Sequence, residues 1–221
     1  MSNITDEFIA KTGLLPETEV RGEAVVSDGL HNSDYRMFDD GSAEIEVLEF
    51  IYSLVRLIKP KNVLETGTYF GLMAGYIALG LRDNGMGHLD TIEWEASHIN
   101  KAKELWNKLE VQDLITEHHT PSLDYSTNTK YQLVIFDTEP QLRFLELDKF
   151  WDNIVHGGTI LVHDLHYEMG TSSTVWLHLD KIKDKIKKHE LTVMSFYTPR
   201  GLTLMRKYNK LDYIYNFLKN G

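Results

Sequence analysis

The chain has 221 residues, 42% of them hydrophobic, enough to bury one α/β core without a second domain. It contains no cysteine, which excludes a disulfide framework and thiolate metal sites, and its formal charge of -10, from 33 acidic against 23 basic side chains, sets the average field against a nucleic-acid backbone. No apolar run reaches the roughly 18 residues a membrane helix needs, and Met1 to Glu7 has no basic stretch leading into an apolar one. The expectation is a cytoplasmic protein that engages neither membrane nor nucleic acid.

Residues 1 to 40 are polar and turn-rich, with Gly13, Pro16, Gly22 and Gly29 interrupting any period, and they read as an N-terminal extension or lid. Residues 41 to 221 read as a single domain. Ser42 is placed to cap a helix whose apolar positions Ile45, Leu48, Ile51, Leu54, Val55 and Ile58 keep helical spacing up to Pro60. A strand then ends at Glu65, followed by a helix over 71–84, a strand over 88–93, a helix over 97–109 and a short strand over 114–118. After the polar loop 125–130 a strand runs to Asp137, and a helix carrying Leu142, Leu145, Phe150 and Ile154 continues to a break at Gly157-Gly158. The pattern closes with a strand over 159–164, a helix over 172–188 whose lysines read as a solvated face, strands over 191–196 and 202–206 paired as a hairpin, and a helix over 210–219. This alternation predicts a largely parallel sheet with helices on both faces and one antiparallel edge.

In such sheets ligands bind outside the carboxyl ends of the strands. Glu65, Glu93, Asp137 and the pair His163-Asp164 all fall at predicted strand exits. The turn Glu65-Thr66-Gly67-Thr68-Tyr69-Phe70-Gly71 would let a ligand approach bare backbone, and Glu93, closing the next strand, could hold a ribose diol. The glycines recur every four residues, at Gly67, Gly71 and Gly75, rather than in the Gly-x-Gly-x-x-Gly arrangement of a dinucleotide cradle. A nucleoside without phosphate is the expected ligand.

Glu65 to Gly71, Thr91-Ile92-Glu93, Leu133-Val134-Ile135-Phe136-Asp137 and Gly157-Gly158-Thr159-Ile160-Leu161-Val162-His163-Asp164 resemble, in order and spacing, the motifs of class I S-adenosylmethionine-dependent methyltransferases. The resemblance is to the small-molecule O-methyltransferases, of the family 24 and catechol O-methyltransferase-like type, and covers roughly residues 40 to 206. It implies a Rossmann-like, doubly wound sheet of seven mostly parallel strands with an antiparallel last strand. It implies S-adenosylmethionine as cofactor, with Glu65, Gly67, Thr68, Tyr69 and Gly71 around its methionine side, Glu93 on the ribose, Trp94 over the adenine or simply exposed, Ser122 at the adenine edge and Asp137 near the reacting centre. Met73 stands where the catechol-type enzymes carry a serine.

In metal-dependent relatives a divalent ion lowers the pKa of the acceptor hydroxyl. The resemblance places Asp137 and Asp164 on its two acid positions, with Leu165 where an asparagine would stand, so that His166 or Glu139 would have to supply a third ligand to Mg2+ or Mn2+. Without a metal, His163 or His166 is the natural general base, because Pro140 occupies the position of the catechol-type lysine. His31, Tyr35 and Arg36 lie in a segment that could fold over the pocket. The implied partner is a small-molecule hydroxyl acceptor, and the aromatic tail (Tyr208, Tyr213, Tyr215, Phe217) could pack on the sheet or form a homodimer contact. Two other readings stay open: a nicotinamide-dependent oxidoreductase on a Rossmann-like sheet, and a protein that binds the cofactor without turnover.

Overall fold

The computed structural model describes residues 3–21, 34–39, 41–165, 179–188, 190–196, 198 and 200–208. It opens with a helix, α1 (Ile4–Thr12), where the turn formers gave no expectation of one. Asn3 caps it by accepting from the Thr5 N–H, and Gly13, in the left-handed region at φ 74°, ends it. Phe8 on this helix is fully buried, stacked on Tyr76 at 4.9 Å. Strands β1 (Glu17–Arg21) and β2 (Asp34–Met37) then pair antiparallel as a small separate sheet.

The helical stripe at Ile45, Leu48, Ile51 and Val55 is buried in α2 (Ile45–Ile58) as its spacing requires. Its cap differs from expectation. Ser42 donates instead to the Asp39 carbonyl, and the N-cap position belongs to Glu44, whose carboxylate makes no cap bond. Strand β3 (Asn62–Thr66) leads through the Gly67–Gly71 turn into α3 (Leu72–Asn84), buried at every position from Leu72 to Leu81. A helix apolar on all sides can only be a central one, and α3 packs against α2, α4 and the sheet. Strand β4 (His88–Glu93), helix α4 (Ala96–Leu109), strand β5 (Ile115–His119) and strand β6 (Tyr131–Phe136) follow close to their expected limits.

The next stretch corrects the sequence reading. Helix α5 (Arg143–Lys149) is short, a single 3-10 turn covers Trp151–Asn153, and Ile154 already opens strand β7 (Ile154–His163) opposite Tyr131. Gly157-Gly158 therefore lies inside a strand, at a shift of register between the Tyr131 and Leu133 pairings, where a glycine at φ 75° absorbs the irregularity. Helix α6 (Leu179–Lys187), strand β8 (Leu191–Phe196) and strand β9 (Leu202–Lys207) complete the described fold. Lys185 on α6 reaches Asp148 at 3.6 Å and lies 4.0 Å from the Trp151 ring, so that lysine at least is not merely solvated. The expected terminal helix, and Tyr213, Tyr215 and Phe217 within it, lie outside the described residues.

Seven strands form one sheet in the order β5-β4-β3-β6-β7-β9-β8. Neighbours from β5 to β7 are parallel, and β9 runs antiparallel to both β7 and β8. The antiparallel strand is thus the last in sequence but not the edge; it is inserted beside β7 and leaves β8 outermost. Alternation along the strands divides the core in two. Val63, Leu133, Ile135 and Leu161 pack with the α2–α3–α4 side, while Leu64, Val134, Phe136, Ile160 and Val162 pack with Phe144 and Leu147 of α5 on the other. The strand order reverses between β3 and β6, which opens a crevice at their carboxyl ends. Among the described residues no helix is long and apolar enough to cross a membrane.

Candidate active site

A cleft of about 620 Å³ occupies that switch point, a size typical of small-molecule sites, roughly 300–1,000 Å³. Its walls include Gly67, Tyr69, Glu93, Trp94, His98, Ser122, Asp137, Glu139, Arg143, Asp164 and Arg200.

One wall comes from the exits of β3 and β4. The Glu93 carboxylate is almost fully buried and is held by backbone: the Tyr69 N–H donates to Oε2 at 2.8 Å and the Glu95 N–H to Oε1 at 2.9 Å. Tyr69 presents its N–H from a left-handed conformation at φ 48°, and its ring stacks on Phe70 at 3.8 Å. Gly67, at φ 84°, has no room for a side chain, because a Cβ there would lie 2.4 Å from the Asp137 carbonyl oxygen. Its lack of a side chain lets β3 and β6 close on each other beneath the cleft. Gly71 serves packing instead: a Cβ would strike Ala102 and Trp106, and its carbonyl accepts from the Trp106 indole at 2.9 Å. Trp94 lines the cleft while 61% exposed, a flat apolar flank open to solvent.

Glu65 and Thr68 are both buried and do not line the cleft. The Thr91 hydroxyl donates to Glu65 Oε2, so the Thr68 hydroxyl, 2.6 Å away, donates to Thr91 in turn. Glu65 Oε1 has no hydrogen-bond partner among the described residues. Burial pushes the Glu65 carboxyl up to about 8, against the Thr91 hydrogen bond and with help from the Asp137 and Glu93 charges. It is a neutral acid supporting the turn from below. Ser122 reaches the cleft, but its hydroxyl donates to Glu146, a buried carboxyl that also accepts from Thr66 at 3.0 Å and Thr138 at 2.8 Å. Glu146 ties the exits of β3 and β6 and the Ser122 loop to α5, and burial raises its pKa despite those three donors.

The other wall is built from charges. His163, fully buried at the end of β7, places Nδ1 2.9 Å from Asp137 Oδ1 and Nε2 2.7 Å from Glu44 Oε2. Burial alone would lower its pKa; the Asp137 and Asp164 charges and the bonds to Asp137 and Glu44 outweigh that and raise it to about 10. His163 is an imidazolium donating from both nitrogens, so it is not free to act as the general base expected of it. Burial would likewise raise the Glu44 pKa, but His163 and Arg200 hold it below the ordinary range. Its other oxygen accepts from the Arg200 N–H at 3.0 Å.

Arg143 donates from Nε to the Thr138 carbonyl at 2.7 Å and from Nη1 to the His163 carbonyl, while Nη2 stands 3.1 Å from Asp164 Oδ2 and 3.5 Å from Asp137 Oδ1. Arg200 pairs with Asp164, Nη2 donating to Oδ2 at 3.0 Å while Nε stands 2.8 Å from Oδ1, and it donates from Nη1 to the Ser42 carbonyl at 2.7 Å. Three acids, Glu44, Asp137 and Asp164, thus face three cations, His163, Arg143 and Arg200. Asp164 itself adopts φ 51°, and burial, which would raise its pKa, is outweighed by His163, Arg143 and Arg200, which lower it.

Of the residues expected at the site, Gly67, Tyr69, Glu93, Trp94, Ser122, Asp137 and Asp164 meet at the cleft, and Glu65, Thr68, Gly71 and His163 stand behind it. Leu165 is buried in the core and Met73 in the opposite one, neither at the cleft. Glu139 lines the cleft, as do neither Tyr35 nor Arg36. His166 and His31 lie outside the described residues. Glu44, Arg143, Glu146 and Arg200 escaped the sequence reading. A signal existed for two of them: Arg143 and Glu146 occupy the helical face of Leu147 and Phe150, and a charge on an apolar stripe has to be paired when buried.

Residues 64–165 match the family model described as a methyltransferase domain. No curated protein sequence matches the chain. Among solved structures, the fold is similar to the O-methyltransferase TomG from Streptomyces achromogenes, in complex with SAM (18% identity, TM-score 0.64, 77% of this chain and 83% of that one). It is similar also to the SAH-bound methyltransferase PaMTH1 of Podospora anserina (19%, 0.65, 77% and 81%) and to an O-methyltransferase from Bacillus cereus in complex with SAH (14%, 0.64, 76% and 84%). At these identities the likeness is one of fold. The family match runs from within β3 to just past the end of β7, the segment that carries most of the residues lining the cleft.

Proposed function

We propose that the chain transfers a methyl group from S-adenosylmethionine to a hydroxyl of a small-molecule acceptor. The observation that carries this reading is Glu93: in a methyltransferase domain, at the exit of β4, its carboxylate faces the cleft with each oxygen fixed by one backbone amide. A carboxylate oxygen so held keeps a lone pair for a ribose hydroxyl. Gly67 and Tyr69 border the methionine side, and Trp94 and Ser122 flank the base. Similar solved structures bind SAM or SAH and are described as O-methyltransferases, which supports the cofactor and the acceptor atom.

When bound, S-adenosylmethionine supplies the electrophilic methyl group. The chain must hold the acceptor oxygen in line and take its proton. Asp137 is placed for this: Oδ1 is anchored on the His163 imidazolium, and Oδ2, without a hydrogen-bond partner among the described residues, belongs to a side chain lining the cleft. His163 and Glu44 behind it act as positioning residues. The divalent ion implied by resemblance does not fit. Asp137 and Asp164 already flank the Arg143 guanidinium, and Asp164 faces Arg200 as well. A cytoplasmic location is consistent with the lack of cysteine and is proposed on that ground.

The test is a calorimetric titration of S-adenosylhomocysteine into the wild type and the Glu93→Ala variant, with NADH as a control ligand. Saturable binding of the homocysteine product, weakened at least about tenfold in the variant through loss of two charge-assisted hydrogen bonds, is the expected result. NADH binding in its place would replace this reading with an oxidoreductase.

A further inference from the structure

The two carboxylates at the exits of β6 and β7, Asp137 and Asp164, are the arrangement in which a divalent ion would be sought, and together with His163 their ligand atoms lie within 4.8 Å of one another. The charge between them is already supplied by protein. Arg143 Nη2 stands 3.1 Å from Asp164 Oδ2 and 3.5 Å from Asp137 Oδ1, a bridging position that an ion would have to share. We propose that Arg143 is the resident cation of this site, with Arg200 beside it on Asp164, and that the wild-type chain takes no divalent ion there.

Three observations carry the proposal. Arg143 is almost fully buried and its Nε and Nη1 are committed to the Thr138 and His163 carbonyls, so the guanidinium cannot swing aside as a surface arginine would. Arg200 donates to Asp164 Oδ2 at 3.0 Å, brings Nε to 2.8 Å from Oδ1 and is itself fixed through Ser42 and Glu44, so a second cation already lies against that carboxylate. His163 faces carboxylates from both nitrogens, and a metal ligand needs a free lone pair there. Binding an ion would therefore add charge to a balanced group of three acids and three cations, or expel a buried arginine.

This deepens the methyl-transfer reading and rests on it for what the site is for, but its test needs no acceptor. Mn2+ is added in equimolar amount to the purified chain and free ion is followed by its six-line paramagnetic resonance signal. The wild type is expected to leave that signal at full height. Arg143→Gln is expected to quench it with one-to-one stoichiometry, an affinity at least about tenfold above wild type once the bridging charge is gone, and Arg143→Gln with Asp164→Asn to restore it. Quenching by the wild type that Asp164→Asn abolishes would overturn the proposal, as would a folded Arg143→Gln variant that binds no more Mn2+ than wild type. If Arg143→Gln does not fold, the wild-type signal decides alone. Titration of S-adenosylhomocysteine into the same wild-type sample separates the two readings: cofactor binding with Mn2+ bound at Asp164 would sink the resident-cation proposal and leave methyl transfer standing, and the reverse pattern would do the opposite.

Discussion

On the wall of the cleft made by β3 and β4, Glu93 is held by the backbone amides of Tyr69 and Glu95. On the wall made by β6, β7 and the turn at Arg200, Asp137 and Asp164 are held by charged side chains drawn from α5, from that turn and, through His163, from the start of α2. The two arrangements have different consequences. Amides donate without carrying charge, so Glu93 keeps both its charge and the capacity to accept from a ligand. Charges paired with charges neutralise one another, so the second wall gains rigidity and gives up any appetite for a free cation. Its cost is interdependence, since removing one member leaves a buried partner unpaired.

That difference can be broken most severely at Glu44. It does not line the cleft, is 1% exposed, and satisfies both His163 and the backbone of Arg200. Glu44→Ala is expected to destabilise the fold by about 3–5 kcal/mol, measured by urea unfolding, because a buried imidazolium loses one of its two hydrogen-bonded carboxylates. The same variant, still folded at low urea, should retain affinity for S-adenosylhomocysteine, since the Glu93 wall is untouched. Loss of cofactor affinity in step with stability would mean the two walls are one unit.

A smaller effect is expected where the walls touch. Gly67→Ala places a Cβ against the Asp137 carbonyl in a backbone at φ 84°, and should cost about 1–3 kcal/mol from conformation alone, with the overlap added to it. It should weaken cofactor binding too, as Gly67 borders both Tyr69 and Asp137. Unchanged stability would show that the β3 and β6 exits can part without penalty.

The least effect near neutral pH, and the most informative as pH rises, concerns Glu65. Its folded pKa, about 8, lies above the unfolded value of 4.5, so the folded state holds a proton that the unfolded state has released between those two values. The slope of stability with pH is then negative: the contribution is intact below about 4.5, declines through the interval, and beyond about 8 the core carries the full penalty of a buried charge. His163, raised from 6.5 to about 10, acts in the same direction, with stability present below 6.5 and lost as pH rises through 10. The wild type should therefore melt at progressively lower temperature from pH 6 to pH 9. Glu65→Gln, neutral throughout, should melt close to wild type at pH 5 and above it at pH 9. A wild type and variant that track each other across the range would show that Glu65 is ionised in the fold.

The legible half of the site is the half whose logic is local. An apolar run ending in an acid, a glycine where the turn needs a positive φ, a second acid closing the next strand: Glu65, Gly67 and Glu93 follow from patterns a few residues long, and neighbouring parallel strands with aligned register bring them together, Glu65 opposite Thr91. Even there burial decides whether an acid faces the cleft, as Glu93 does, or is sealed beneath the turn, as Glu65 is. Strand and helix boundaries failed where two conformations compete over a short apolar stretch, as at Phe150 and Ile154, and where caps rather than period define a helix, as in α1.

What the sequence by itself determined, then, is the alternation of strands and helices, the placement of acids at strand exits and hence the switch-point cleft, because hydrophobic periodicity and turn chemistry are properties of neighbouring residues. What only the tertiary structure decided is who neutralises those acids. Glu44 meets His163 across 119 positions and Arg200 across 156, and no spacing rule connects them. Their pairing follows from the packing of α2, α5 and the β8–β9 turn around the end of β7, and from the electrostatic cost that forces every charge buried there to find a partner.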